Sequence, residues 1–423
     1  MLSCGVLAWV VCFAACSPDG GSSPELEDPP GTLAEVDLKW RAVDPPARPG
    51  ALAPNLAVVD GRLAATWLEV GEPQAEGSGH RLRFSRLVDG DWLVPTTIAE
   101  GGDFFANWAD IPALIEANDG SLLAHWLAKT GGETYAYSIL LARSTDQGLT
   151  WRPLGPLNDD VTPTEHGFVS WVTEGDAVRA FWLDGRAMLD EGPMSLRTTV
   201  VREEVSPSEV LDERVCDCCA TTAAVVGGEP LVVFRDRSQT EVRDIAIVRR
   251  EAGQWSPTTP VASDEWVIPG CPVNGPATAI AGEDLFVAWF TAASDEPCVK
   301  AAISRDGGTS FGEPILIDAD NPVGRVDLAS AGEGVAVVSW LASGSDKARV
   351  MLGFLSSAGN LERTFVVAET HNARASGFPR LERIEEQLFL TWVDAGEARA
   401  SHLRLAEIPL TLLLGEGTDA TGS

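Results

Sequence analysis

The sequence predicts an all-β protein, a β-propeller of seven four-stranded blades. Short apolar runs that end on an aromatic residue recur at intervals of roughly 50 to 60 residues, a period typical of propeller blades. The closing aromatic residues are Trp67, Trp126, Trp182, Phe234, Trp289, Trp340 and Trp392. Each run lies between other short strand-like runs, and no helical periodicity separates them. Four short strands in every repeating unit are what a propeller requires.

Each unit has the same predicted order of elements. A turn such as Asp60-Gly61 separates the first strand from the second, and the second strand ends on the aromatic residue. A third strand follows, for example at residues 139–143. In several units a turn with an aromatic residue and a proline, such as Trp151 and Pro153, then leads to a fourth strand. Gly and Asp suit these turns because they tolerate left-handed backbone angles.

The boundaries of the propeller are predicted at residues 34 and 414. Residues 35–43 alternate enough to form a strand, and we expect it to complete the last blade and close the ring, which would hide two sheet edges. Residues 415–423 are expected to be a disordered tail. Residues 16–33 are rich in Pro, Gly, Ser and acidic residues, and this composition predicts a flexible tether.

The first fifteen residues predict a signal peptide. Residues 5–15 are apolar but too short to span a bilayer. They lead into residues 13–16 (FAAC), which resemble a bacterial lipobox with Cys16 as the lipidated residue, and Ser17 favours the outer membrane of a Gram-negative bacterium by the same resemblance. Residues 1–3 carry no Lys or Arg, so either the true start lies upstream or the signal is atypical. An ordinary cleaved signal is the alternative.

The charge balance excludes one class of partner. The formal net charge is −31 and the sequence pI is near 4.4. So acidic a chain repels phosphate backbones and anionic lipid, which argues against nucleic acid and leaves the lipid anchor as the predicted membrane contact. No cofactor motif is recognisable, since P-loop, dinucleotide and EF-hand patterns are missing from the sequence. A monomer is expected.

Two turns share one sequence pattern. Residues 144–151 (STDQGLTW) and 304–311 (SRDGGTSF) each follow an apolar strand-like run. Both resemble the Asp-box of the sialidase superfamily and of related bacterial neuraminidase-type repeat proteins. The matching positions are Ser144, Asp146, Gly148 and Trp151 in the first copy and Ser304, Asp306, Gly308 and Phe311 in the second. The resemblance implies a sialidase-like propeller, and it makes six blades the alternative, because sialidases have six.

The antiparallel order of the strands predicts where a site lies. First strands begin, and second strands end, at one end of the propeller, which we call the mouth face. The turns between third and fourth strands, with both Asp-boxes, lie at the opposite end, so the Asp-boxes are expected to be structural. The predicted ligand-binding residues at the mouth face are His166, Arg186, Arg214, Arg235, Arg237, Asn274, Arg325 and Asp327. Arginines beside carboxylates suit an acidic sugar or another carboxylate, which they bind in bidentate fashion.

Catalysis is left open by the sequence. The resemblance to sialidases implies three arginines, an Asp acid/base and a Tyr nucleophile paired with a Glu. Only Tyr135 and Tyr137 are present, both in or beside a third strand and away from the channel, so the nucleophile is not carried over. Hydrolysis by two carboxylates remains possible chemistry. The predicted pairs are Glu165 with Asp184, or Asp217 with Asp236.

The cysteines predict disulfides at the mouth face. After the signal and Cys16, five remain: Cys216, Cys218, Cys219, Cys271 and Cys298. In an oxidising compartment two disulfides and one free thiol are expected. The main expectation joins Cys216 or Cys218 to Cys271, and a bridge between Cys218 and Cys219 is a rarer one. A soft-metal site for Cu(I) or Zn is the alternative, although no metal is expected.

The sequence therefore predicts a lipid-anchored extracytoplasmic propeller that binds a glycan or another acidic ligand at the channel mouth. An exo-acting glycoside hydrolase on the same face is the first alternative. A structural component of an envelope assembly is the second.

Overall fold

The computed structural model describes residues 38–74, 77–395 and 401–414. The predicted signal peptide, Cys16, the tether and the tail at 415–423 lie outside the described residues. All described residues belong to one unit, Glu35–Ser423. Its strands form seven separate antiparallel sheets, so the predicted all-β propeller with seven blades is confirmed and six blades is wrong.

Blades 1 to 3 follow one another along the chain. Their strands are Leu52–Val59, Arg62–Gln74, Gly77–Val88, Asp91–Trp92 and Thr96–Gly101 in blade 1; Leu114–Glu116, Leu122–Lys129, Tyr137–Ser144 and Arg152–Pro156 in blade 2; and His166–Glu174, Ala177–Asp184, Ser195–Val201 and Glu209–Asp212 in blade 3. A 3-10 helix, Arg186–Asp190, follows the second strand of blade 3.

Blades 4 to 7 repeat this order. Their strands are Thr222–Val226, Glu229–Arg235, Ile245–Glu251, Gln254–Trp255 and Thr259–Pro260 in blade 4; Ala277–Ala281, Asp284–Thr291, Cys298–Ser304 and Ile315–Asp318 in blade 5; Gly324–Gly332, Val335–Ala342, Lys347–Ser356 and Asn360–His371 in blade 6; and Arg380–Ile384, Gln387–Ala395, Ser401–Pro409 and Arg41–Ala42 in blade 7. The 3-10 helices Ala293–Asp295 and Arg374–Ser376 and the α-helix Leu410–Leu414 complete the described elements.

The blades close into a ring. The first strand of every blade contacts the first strand of the next, and that of blade 7 contacts that of blade 1. The N-terminal strand takes part as expected, because Arg41 pairs with Glu407 and Ala42 with Ala406 in blade 7. Side chains on loops far apart in sequence therefore meet at the two ends of one channel. Within the described residues, no helix has the length and apolar character needed to cross a bilayer.

The repeated aromatic residues form the core. Trp67, Trp182, Trp289 and Phe234 are fully buried on their second strands, and the other three members of the series are buried as well. Each of the buried indoles of Trp67, Trp182, Trp289 and Trp340 donates its N–H to a carboxylate, at 2.7 to 3.0 Å. A buried indole needs such a partner, since an unbonded N–H in an apolar core is costly.

Both Asp-boxes have the structure expected of a turn. In the first, Asp146 accepts hydrogen bonds from the Thr150 backbone and hydroxyl at 2.9 and 2.6 Å, and Ser144 Oγ accepts from Gly148 N at 2.8 Å. Asp306, Ser310, Ser304 and Gly308 repeat these bonds in the second. Each box joins the third strand of its blade to the fourth, opposite the mouth face.

Candidate functional site

Two carboxylates at the mouth face, one of them the predicted Asp184, are partners of tryptophans. Glu69 and Asp184 stand two residues after the closing tryptophan of their blades, and the indoles of Trp67 and Trp182 donate to them at 2.8 and 3.0 Å. A side chain two positions along a strand lies on the same face of the sheet. In this Trp-x-Glu or Trp-x-Asp pattern, the carboxylate therefore acts as the hydrogen-bond acceptor for the buried indole.

Asp184 also forms an ion pair with an arginine. Arg186 donates to its two oxygens at 2.7 and 2.8 Å, and the carboxylate is fully buried. Burial pushes the pKa of Asp184 upward, but hydrogen bonds from Arg186 and Trp182 and the nearby His166 outweigh burial and hold the pKa below its usual value. Arg186 itself also binds Asp159 at 2.7 Å. The predicted pair of Glu165 with Asp184 thus has one member already neutralised.

Blade 4 has a carboxylate at the same position but no indole to bind it. Its closing aromatic is Phe234, which has no N–H to donate, and Asp236 stands where blades 1 and 3 place the indole's acceptor. Burial and the carboxylates of Asp212 and Asp244 together raise the pKa of Asp236 to about 6, against a hydrogen bond from the Arg237 backbone. Asp236 is thus a half-buried carboxyl that no indole satisfies.

Asp236 lines a pocket between blades 3 and 4, which we call the inter-blade pocket. The pocket has a volume of about 860 Å³, and Arg186, Arg214 and Arg237 also line it. Four residues that the sequence nominated for ligand or catalysis are therefore brought together. Asp212 lies on the same wall, where it accepts from the Arg214 backbone N–H at 2.9 Å and from the Thr258 hydroxyl.

The arginines of the inter-blade pocket differ in how far they are neutralised. Arg237 is paired with Glu241 at 2.8 Å and with Asp217 at 3.1 Å, while Arg186 is held by Asp184 and Asp159. The Arg214 guanidinium has no hydrogen-bond or ion-pair partner among the described residues. Of these three arginines, Arg214 is therefore the one whose N–H donors can bind a ligand.

A second group at the mouth face joins the nominated Glu165 to a tyrosine that the sequence analysis set aside. It comprises Asp110, Tyr137 and Glu165, which we call the acid–phenol cluster. The Tyr137 hydroxyl donates to Glu165 Oε1 at 2.5 Å. Asp110 accepts from Phe168 N at 2.9 Å, and it comes so close to Gly167 that a Cβ there would lie 2.0 Å from its oxygen. The sequence places Tyr137 on a third strand away from the channel and does not predict its contact with Glu165.

The pKa values of both acids in the acid–phenol cluster are raised. Burial raises the pKa of Asp110 to about 8, helped by the charge of Glu165. Burial also raises the pKa of Glu165 to about 7, with contributions from Asp217 and Cys216, while the Tyr137 hydrogen bond opposes the shift. Tyr137 is 0% exposed, so its hydroxyl orients Glu165 rather than facing an open cavity.

Three nominated residues lie in the core and make structural contacts. His166 is buried, with Nδ1 3.1 Å from the Tyr137 and Thr164 carbonyls and Nε2 3.0 Å from Asp160. Arg235 is 1% exposed and donates to the carbonyls of Asn274, Arg243 and Phe290. Arg325 stacks on Trp108 at 4.6 Å and donates to the Gly377 carbonyl.

The narrow centre of the ring contains a second set of acids. A cavity of about 290 Å³ is lined by residues from all seven first strands or the loops before them, including Asp327 and Glu382. Asp327 accepts from Leu381 N at 2.8 Å, and burial raises its pKa. Burial raises the pKa of Glu382 to about 7, with a contribution from Asp327. Asn274, on the loop before blade 5, accepts a hydrogen bond from Arg325 N at 2.6 Å and so links that loop to the first strand of blade 6.

Three of the five predicted disulfide cysteines converge, and a fourth lies nearby. The Sγ atoms of Cys216, Cys218 and Cys219 all lie within 4.8 Å of one another, and Cys271, from the loop before blade 5, interacts with Cys218. We call these four residues the thiol cluster. No disulfide joins any of the five cysteines in the described chain, so the predicted pairing stays a prediction. Cys298 begins the third strand of blade 5, where its charged neighbours are Lys300 and Asp264.

No protein-family model matches the chain, and no curated protein matches it either. Solved structures do. A crystal structure of a protein of unknown function from Dyadobacter fermentans DSM 18053 has a TM-score of 0.50 at 14% identity, covering 89% of this chain and 96% of that one. The polysaccharide lyase Uly1 has a TM-score of 0.51 at 10% identity, covering 90% and 94%. The Hadza microbial sialidase Hz136 has a TM-score of 0.49 at 14% identity, covering 79% and 74%.

At these identities the comparisons bear on the fold and leave the chemistry to the site itself. The fold of this chain is a β-propeller with seven four-stranded blades.

Proposed function

We propose that the protein binds a carboxylate-bearing saccharide in the inter-blade pocket. The observation that carries the proposal is that one pocket is lined both by the Arg214 guanidinium, which has no partner among the described residues, and by the partly buried carboxyl of Asp236. A guanidinium binds a carboxylate through two parallel N–H donors, and a sugar's hydroxyls donate to and accept from a half-buried carboxyl.

The size and polarity of the pocket support a saccharide. Its volume of about 860 Å³ lies in the range of small-molecule sites. Its walls combine charged groups with apolar surface from Ala187, Pro193 and Val210. Sugar rings use both kinds of surface, because hydroxyls need hydrogen-bond partners and the C–H faces pack on apolar atoms.

The cellular setting of this proposal rests on the sequence. Cys16 and the apolar residues before it support a lipid-anchored protein exported to the outer membrane. A tether at 16–33 would hold the propeller near the surface while leaving the mouth face open to a glycan.

Direct binding measurements test the proposal. Isothermal titration with sialosides and with glucuronides or galacturonides should show binding, and the neutral parent sugars should bind at least about tenfold more weakly, since one charge-assisted pair contributes roughly 1.5–3 kcal/mol. Arg214→Ala should abolish the preference for the acidic sugar. Arg202→Ala is the matched control, because this exposed arginine lies at the opposite end of the same blade and pairs with Asp176. Equal affinity for acidic and neutral sugars would contradict the proposal.

Hydrolysis of the same saccharide is the second candidate, and Asp236 favours it. A carboxyl with a pKa near 6 is suited to act as a general acid at neutral pH. Asp212, on the same wall, is the second carboxylate such a reaction needs. Fluorogenic sialosides and uronides assayed with wild type, Asp236→Asn and Asp212→Asn separate the two candidates. A hydrolase loses turnover in both variants while Asp236→Asn still binds the sugar, whereas a binding protein shows no turnover in any of the three.

A further inference from the structure

The thiol cluster has a geometry that neither the fold nor the saccharide pocket explains. Cys216 and Cys219 are three residues apart in sequence, a spacing that brings their Sγ atoms to 3.4 Å. Cys218 lies beside both of them and interacts with Cys271. Cys216 and Cys219 are buried, whereas Cys271 is exposed on the loop before blade 5. Three sulfurs of one loop therefore meet at one point, with a fourth from the neighbouring blade next to Cys218.

The spacing of these sulfurs suits a tetrahedral metal ion. Zn–S bonds of about 2.3 Å in tetrahedral geometry place the sulfurs roughly 3.8 Å apart. The three Sγ atoms of Cys216, Cys218 and Cys219 lie within 4.8 Å of one another, so small side-chain rotations bring them to that distance. The nearest carboxylate, Asp217, is engaged by Arg237 and Arg243, which leaves a donor set of sulfur only.

The surrounding charges favour thiolates over a disulfide. Arg243 Nη1 lies 3.3 Å from Cys216 Sγ. The buried Arg235 donates to backbone carbonyls, and among the described residues no carboxylate pairs with it. Its charge acts on Cys216 and Cys219. A neutral disulfide would leave this buried cation without a counter-charge, which is unfavourable in an apolar interior.

We propose that Cys216, Cys218, Cys219 and Cys271 bind one thiophilic d¹⁰ ion, Zn²⁺ or Cu⁺, that joins the mouth-face loops of blades 4 and 5. Four thiolates and Zn²⁺ carry a net charge of −2, which the buried Arg235 offsets in part. Sulfur-only donor sets select these ions over Mg²⁺ and Ca²⁺, which require oxygen ligands. The site is distinct from the saccharide pocket, and its test does not depend on saccharide binding.

The test uses the full chain, reduced and kept anaerobic. Titration with Zn²⁺ against a chromophoric chelator, and with Cu⁺ against bathocuproine disulfonate, should give one ion per chain for at least one of the two metals and so identify it. Alkylation with iodoacetamide, mapped by peptide mass spectrometry, should show Cys216, Cys218, Cys219 and Cys271 protected by the metal while Cys298 is modified. This readout needs no variant and so does not depend on whether a mutant folds.

Two cysteine variants test which thiols bind the ion. Cys219→Ser should weaken the affinity by more than the roughly 10–100-fold typical of outer-shell partners, because it removes a ligand. Cys298→Ser is the matched control and should bind like wild type. Failure of both ions to protect more than two thiols of the reduced chain would overturn the proposal in favour of two disulfides, as would wild-type affinity in Cys219→Ser.

Discussion

The Tyr137 hydroxyl donates a 2.5 Å hydrogen bond to Glu165 Oε1, which links the third strand of blade 2 to the loop before blade 3. The two residues are 28 positions apart, and a parallel bridge between their backbones holds them in register. Phe105 stacks on the Tyr137 ring at 4.2 Å and fixes its orientation. Among the described residues, this is the one side-chain hydrogen bond of both the buried phenol and the largely buried carboxyl.

Tyr137→Phe should destabilise the folded protein. Removing the donor leaves Glu165 largely buried without its partner, which costs about 1–3 kcal/mol of unfolding free energy. It should also raise the pKa of Glu165 further, because the Tyr137 hydrogen bond is what opposes burial. Urea denaturation of Tyr137→Phe, Glu165→Gln and the double variant measures the coupling between them. Tyr135→Phe, on an exposed ring, is the control; strictly additive effects would contradict the coupling.

Asp110→Asn should change how stability depends on pH. The pKa of Asp110 is about 8 in the folded protein against an ordinary value of 3.8, so the folded state binds this proton more tightly than the unfolded chain. The stabilisation is complete below about pH 4 and is lost as pH rises through 8, at up to about 1.4 kcal/mol per pH unit. Wild type should therefore lose stability relative to Asp110→Asn between pH 4 and 8. Parallel stability curves for the two proteins over that range would show that the carboxyl is ionised in the fold.

The fold was predictable because its signals are local. Each blade repeats a strand, a turn and a closing aromatic such as Trp67, and each Asp-box is a short run of residues bonding to itself. The hydrogen bond between Tyr137 and Glu165 is not local. It depends on how two blades pack, which no short sequence pattern predicts.

Burial decides which of the nominated residues can reach a ligand, and burial is not legible in a short stretch of sequence. Arg214 and Arg235 look alike in sequence, yet one lines a pocket and the other is enclosed by carbonyls. A signal was available for Asp236, since it follows Phe234 at the position where blades 1 and 3 place the acid that binds their tryptophan. The three-residue spacing of Cys216 and Cys219 was a second overlooked signal.

Gly148→Ala tests the role of the first Asp-box. Gly148 has φ +85°, and a Cβ there would lie 2.1 Å from the Phe84 ring of blade 1. Gly61 is the matched control, because it has φ +66° and open space around its Cβ position. Both substitutions should cost about 1–2 kcal/mol of backbone strain, and Gly148→Ala should cost about 1–3 kcal/mol more from overpacking. Thermal and urea unfolding measure the difference; equal losses at the two sites would mean that the contact between box and neighbouring blade is unimportant.

The strand that closes the ring supports a last prediction. Val43 N donates to Leu405 O at 2.9 Å, Leu405 N donates to Asp44 at 2.8 Å, and Trp92 Nε1 donates to Val43 O at 2.8 Å. Trp40 adds an edge-to-face contact with Trp392 at 5.7 Å. A chain that begins at residue 45 loses all of these and leaves the Ser401–Pro409 strand as an open edge.

That truncation should cost on the order of 5 kcal/mol, from three hydrogen bonds at about 1 kcal/mol each and the burial of Trp40 at about 1.5–3 kcal/mol. It should also promote aggregation, because an unpaired strand edge recruits other chains. A chain that begins at residue 38 is the control, since it keeps Trp40, Val43 and Asp44. Thermal unfolding and light scattering compare the two. Similar melting and scattering of both truncations would show that the ring is closed by packing of the first strands alone and that the N-terminal strand contributes little to it.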